Sequence, residues 1–193
     1  MEEEDQVLNG DSEDNTLTGG SGDDVISGGD GDDVLNGAAG NDTLAGGGGG
    51  DSLSGGKDSD DDVLAGGPGV DTADFSTTAG PINADLSSGI ATGSGNDVLS
   101  GIENLIGSDA DDTLAGDGND NTLDGGDGTD TADFSNAEAA ITADLSADMA
   151  TGAGNDTLTN IENLTGSNQD DTLTGDSGSN TLIGGAGSDT INA

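Results

Sequence analysis

GGSGDDVIS (residues 19–27), GGDGDDVLN (28–36), GAAGNDTLA (37–45) and GGGGGDSLS (46–54) follow one another without a gap, and together they set the register of the whole chain. Each block of nine carries an Asp at its sixth place and an aliphatic residue at its eighth: Asp24 with Ile26, Asp33 with Leu35, Asp42 with Leu44, Asp51 with Leu53. A short period held this strictly marks a solenoid, in which each repeat is one structural unit stacked on its neighbours. The glycines permit turns with positive φ and leave backbone carbonyls free, and carboxylates beside such carbonyls are the donor set of a hard cation.

These blocks resemble the RTX (haemolysin-type) calcium-binding nonapeptide GGxGxDxUx. The resemblance implies an all-β fold, a right-handed parallel β-roll with calcium ions between stacked turns. In that fold the first six residues of a block turn and the last three form a short strand, so two blocks complete one coil.

Composition bounds the alternatives. The chain has 193 residues with 41 acids, one base (Lys57), no His and no Cys, for a net charge of -40. Leu, Ile, Val and Phe make up only about 17% of it, under the roughly 20% below which a highly charged chain is expected to be disordered. Periodicity and charge together predict a chain that folds when a divalent cation binds, because metal-binding free energy is then folding free energy. Such an acidic surface repels nucleic-acid phosphates and anionic membranes. No apolar run approaches the ~20 residues of a membrane-spanning helix, and MEEEDQVLNG lacks the features of a secretory signal.

The repeat is weak at the start, with Gln6 and Leu8 and then Asn15 and Leu17 at the two diagnostic places. Residues 55–65 carry two extra residues before Asp62 and Leu64, which reads as a loop insertion. Asp71 and Ala73 follow, and Phe75 extends the inward alternation into a longer strand. Residues 77–91 break the beat: Ile82, Ala84 and Leu86 alternate as a half-buried strand and Ser87-Ser88-Gly89 reads as a turn. Regular blocks return with Asp97 and Leu99, then a six-residue block (101–106), then Asp112 and Leu114.

A longer period overlies the short one. TADFS, ADLS and IENL each recur 59 residues later, so residues 125–183 duplicate residues 66–124. The expected organisation is one continuous solenoid in three modules: 1–76, an N-terminal β-roll; 77–133, a second with a strand insertion; and 134–193, its duplicate. The last block ends at Asn192 with no visible polar cap.

The candidate calcium ligands are Asp24, Asp33, Asp42, Asp51, Asp62, Asp71, Asp97, Asp112, Asp130, Asp156, Asp171 and Asp189. If two blocks make a coil, carboxylates on neighbouring coils lie 18 residues apart, adjusted for insertions. That pairs Asp24 with Asp42, Asp33 with Asp51, Asp42 with Asp62, Asp51 with Asp71, Asp112 with Asp130 and Asp171 with Asp189. The six-residue block shortens the interval to 15, pairing Asp97 with Asp112 and Asp156 with Asp171. Eight ions would bring sixteen positive charges and take the net charge from -40 to -24. Asn15, Asn121 and Asn180 stand where Asp is expected and predict weak or empty sites. Glu103 and Glu162 are either extra ligands or solvated acids.

With no His, Cys, Arg, Trp or Tyr, catalysis is the poorest functional class. The expected function is that of a calcium-binding structural protein at the cell surface or outside the cell, where calcium suits low-affinity oxygen sites. Its partners are calcium ions and further copies of itself, joined end to end into filaments or a surface layer, without nucleic acid and without membrane insertion. The resemblance adds export by type I secretion, and a rival role as a monomeric secretion or folding module detached from a toxin, adhesin or secreted enzyme.

Overall fold

In the computed structural model, which describes residues 4–57 and 59–193, the chain is all-β apart from one 3-10 turn at Leu145–Ala147. Met1 to Glu3 of the opening block and Asp58 of the insertion lie outside the described residues. The strands are β1 (Val7–Asn9), β2 (Thr16–Ser21), β3 (Val25–Asp30), β4 (Val34–Ala39), β5 (Thr43–Gly48), β6 (Ser52–Gly56), β7 (Val63–Ala65) and β8 (Thr72–Asp74). They continue with β9 (Asn83–Asp85), β10 (Ile90–Thr92), β11 (Asn96–Ser100), β12 (Asn104–Ile106), β13 (Thr113–Ala115), β14 (Thr122–Asp124) and β15 (Thr131–Asp133). The last are β16 (Thr142–Asp144), β17 (Met149–Thr151), β18 (Asn155–Thr159), β19 (Asn163–Thr165), β20 (Thr172–Thr174), β21 (Thr181–Ile183) and β22 (Thr190–Asn192).

Through the perfect blocks the chain alternates between two sheets, one strand per block. Parallel pairing therefore joins residues one coil apart, as in Ile26 with Leu44 and Leu35 with Leu53. Each sheet ends with eleven strands, and the whole is a parallel β-roll. Strand alternation sends every eighth-place side chain inward. Ile26, Leu35, Leu44, Leu53, Leu64, Leu105, Leu114, Leu123, Leu158, Leu164 and Leu173 form one buried ladder system between the sheets. Their seventh-place neighbours face out: Val25 is 48% exposed where Ile26 is fully buried. A strand only three residues long is marginal alone, so each depends on its neighbours in the stack.

The break in the beat forms a three-stranded antiparallel meander. β9 pairs antiparallel with β10, and β10 antiparallel with β11. Along the first sheet the order runs β7, β11, β10, β9, β13. The chain thus advances along the axis at β9, doubles back, and re-enters the stack at β11 against β7. The predicted strand around Ala84 and the turn after it are both present, but Phe75 lies beyond the end of β8, buried in the core rather than lengthening the strand. Ala73, Ala84 and Ala91 share that core with Phe75, Ile82 and Ile102, small inward residues beside large ones.

The duplicated unit repeats the meander as β16, β17 and β18, but in the opposite sheet. From β8 to β15 the chain crosses between sheets five times. An odd number of crossings places each residue of the second unit on the opposite side from its counterpart 59 residues earlier.

Because the inward ladder runs through the buried apolar core, truncating it is costly. Leu44→Ala should destabilise the calcium-loaded protein by about 2–5 kcal/mol, read from the urea midpoint in saturating calcium; a loss of under about 0.5 kcal/mol would contradict the assigned packing.

Candidate metal centre

Each sixth-place Asp sits at the mouth of a strand, where the glycine turn delivers the chain into the sheet. Eleven of the twelve predicted ligands are buried, from Asp24 to Asp171, with none more than 3% exposed. Asp189, in the last coil, is half-buried. They stack into columns, in which the backbone N–H of one Asp donates to the Oδ1 of the Asp on the next coil. Asp24 donates to Asp42 (2.7 Å), Asp42 to Asp62 (2.8 Å) and Asp62 to Asp97 (3.0 Å). On the other side Asp33 donates to Asp51 (2.8 Å) and Asp51 to Asp71 (2.8 Å). Later, Asp112 donates to Asp130 (2.7 Å) and Asp171 to Asp189 (3.0 Å).

Six of the eight expected pairs are therefore neighbours on adjacent coils. The two pairs at a 15-residue interval are not. Asp97 stacks on Asp62, 35 residues away, and two meander strands separate it from Asp112. Asp156 likewise receives the N–H of Asn121 (3.0 Å) and is separated from Asp171 by β17 and β16. The 15-residue interval does bring the chain back to the same sheet, but the broken segment folds back on itself and its two strands stand between the expected partners. Behind the meanders, Asp112 and Asp171 instead accept from the N–H groups of Ile82 (2.6 Å) and Ile141 (2.7 Å).

A second column was not anticipated. The fifth-place residues stack with the opposite polarity: Asn41 N–H donates back to Asp23 Oδ1 (2.9 Å), Asp61 to Asn41 Oδ1 (3.0 Å) and Asn96 to Asp61 Oδ1 (2.9 Å). Its signal lay in the doublets Asp23-Asp24, Asp32-Asp33, Asn41-Asp42 and Asp61-Asp62. The inner member is buried and the outer one lies on the surface.

The sixth-place oxygens fit a cation. One carboxylate oxygen of each pair is committed to a neighbouring N–H, while the Oδ2 atoms of Asp33, Asp51, Asp71 and Asp130 are buried with no hydrogen-bond donor. A buried carboxylate oxygen without a donor costs about 1–3 kcal/mol or more. The space beside it is bounded by the missing side chain of the block's first glycine: a Cβ at Gly37 would collide with Asp42 and would lie 2.7 Å from the carbonyl oxygen of Gly55 on the next coil. Carboxylate and carbonyl oxygens converge in the same way at Gly19, Gly28, Gly66, Gly107, Gly125 and Gly166. Among the described residues no three acidic side chains converge, so backbone carbonyls must supply much of the six to eight oxygens that Ca²⁺ takes.

Where Asn replaces Asp, the amide is satisfied within the protein. Asn121 Oδ1 accepts from Asp117 N–H (2.9 Å) while its Nδ2 donates to the Glu103 carbonyl (2.9 Å). Asn180 does the same with Asp176 (2.9 Å) and the Glu162 carbonyl (2.9 Å).

Fold and site together define a β-roll of the calcium-binding class. The model of the RTX calcium-binding nonapeptide repeat matches residues 9–44, 27–61, 36–73, 99–132 and 160–193, and the chain belongs to that family. The unmatched intervals contain β9 with β10 and β16 with β17, so the antiparallel insertions stand outside the family pattern. No curated protein matches the chain.

Burial pushes the carboxyl groups of Asp130 and Asp156 up to about 6, overcoming the opposing effect of the N–H groups of Asp112 and Asn121; neighbouring carboxylates add to the rise. Asp51 and Asp71 are raised by burial and by like-charged neighbours in the same way. Since the folded values lie above the ~3.9 of an unfolded Asp, the metal-free fold holds protons that the unfolded chain releases. This contribution is fully present below about pH 4 and is lost as pH rises through about 6. Without calcium, β-structure by circular dichroism should therefore increase from pH 7.5 to pH 5, and calcium added near pH 6 should release protons; a metal-free spectrum unchanged across that range would contradict it.

Proposed function

We propose that this chain is an extracellular structural module that folds on binding several calcium ions through its sixth-place aspartates and then associates end to end. The stacked Asp columns carry the first part. Carboxylates one strand spacing apart, about 4.8 Å, repel by roughly 3 kcal/mol per pair at an effective dielectric constant of about 20. Seven such Asp–Asp steps exceed the ~5–15 kcal/mol by which a domain is usually stable. Calcium between coils turns this repulsion into attraction, and calcium at ~10⁻⁴ to 10⁻³ M outside cells is the matching supply.

The outermost described strands support association. β1 and β22 lie at the ends of their sheets, and Val7 is 71% and Ile191 43% exposed. An open strand edge is a template for pairing with another copy. The net charge of -40 opposes close approach and favours a second reading, a monomeric folding module within a larger secreted protein.

Sedimentation and electron microscopy of this chain in millimolar calcium separate the two. End-to-end association predicts particles that lengthen with protein concentration and revert to monomers in Ile191→Pro: the Thr190 N–H bonds back to the Asp171 carbonyl (2.8 Å), so it is the next N–H that faces the outer edge of β22. Uniform monomers at high concentration would overturn association and leave the monomeric module.

A further inference from the structure

Strand pairing sets the register of the six-residue block 101–106. β12 pairs with β8 so that Asn104 faces Thr72 and Leu105 faces Ala73. Glu103 therefore falls in register with Asp71, at the sixth place. In the duplicate, β19 pairs with β15 with Asn163 opposite Thr131, which sets Glu162 beside Asp130. The block lacks most of its glycine turn but keeps an acid two residues before its inward Leu, one methylene longer than the usual Asp.

Both glutamates take the Asp role in the column. The N–H of Asp71 donates to Glu103 Oε2 (2.9 Å), and that of Asp130 to Glu162 Oε2 (2.8 Å). Asp71 and Asp130 are fully buried, and each Oδ2 has no hydrogen-bond partner. The cradle is also rebuilt. A Cβ at Gly66 would collide with the Gly101 carbonyl oxygen and lie 2.6 Å from Asp71 Oδ2; one at Gly125 would collide with the Asn160 carbonyl oxygen and lie 2.5 Å from Asp130 Oδ2. Gly101 and Asn160 both hold the left-handed conformation, at φ 59° and 50°. Asn160 does so without being glycine, tied by its Nδ2 to Asp124 Oδ1 (2.8 Å).

We infer that Asp71 with Glu103, and Asp130 with Glu162, form two mixed Asp–Glu calcium sites that the nonapeptide pattern does not contain. Each closes its column, because the next coil carries Asn121 or Asn180, whose amide donates to the glutamate's own carbonyl. The inference rests on the proposed calcium binding at the Asp–Asp steps. Its logic is the same: a buried carboxylate oxygen and a backbone carbonyl face one space, and the neighbouring carboxylate brings the second charge.

Glu103→Gln and Glu162→Gln keep an oxygen to accept the Asp71 and Asp130 N–H groups while removing the charge. Equilibrium dialysis at saturating calcium should find one ion fewer per chain in each variant and two fewer in the double variant; an unchanged count in the folded variants would overturn the assignment. Anomalous diffraction from crystals of the unsubstituted chain grown with terbium does not depend on how the variants fold. It should show peaks at both Asp–Glu pairs as well as at the Asp–Asp steps. Peaks confined to the Asp–Asp steps would overturn this inference alone, whereas no peak at any step would overturn the calcium reading beneath it.

Discussion

Repulsion between carboxylates held one coil apart governs this structure. The sixth-place column places buried acids at the spacing of hydrogen-bonded strands, and the chain has one basic residue with which to offset 41 acids. Hydrogen bonding from the backbone N–H of the preceding coil's Asp satisfies one oxygen of each pair and leaves the net charge untouched. The geometry that stacks the strands is therefore the geometry that concentrates the charge, and the proposed cation supplies the positive charge that the stack lacks.

The apolar ladder and the glycine turns depend on that condition. Ile26, Leu44 and Leu64 pack one above another only when their coils are closed, and each regular coil of two nine-residue blocks offers the core two large side chains. Such a core is thin for a chain of this length, so the interior alone does not hold the turns together. First glycines such as Gly19, Gly28 and Gly37 contribute by absence, since the missing side chain is the space where the carboxylate and the next coil's carbonyl meet. The asparagines show the same requirement met otherwise: Asn121 and Asn180 supply a neutral N–H donor in place of an ion.

Much of this was legible in the residues. A nine-residue beat with fixed Asp and aliphatic places is a local signal, so the two ladders, the strand positions and six of the neighbouring Asp pairs followed from counting. Counting failed where the chain stopped advancing one coil at a time. Nothing local in Ile82–Leu86 or Ile90–Thr92 distinguishes a new coil from a strand doubling back, because both alternate with period two. The error carried into Asp97 and Asp156, whose partners lie 35 residues before them. Glu103 and Glu162 were hard to place for a related reason: counted from the block's start they fall at no diagnostic place, and only strand register aligns them with Asp71 and Asp130. The outer column was visible as Asp-Asp and Asn-Asp doublets, but alternation does not reveal that the outer member would bond backwards along the stack.

The central claim is that the coils close only with a divalent cation between their carboxylates. Small-angle X-ray scattering at pH 7.5, with calcium and then with a chelator, tests it most directly. With calcium the radius of gyration should lie near the ~16 Å of a compact chain of 193 residues, somewhat larger for an elongated roll, and with chelator it should approach the ~47 Å of an unfolded one. A compact particle in chelator at that pH would contradict the account.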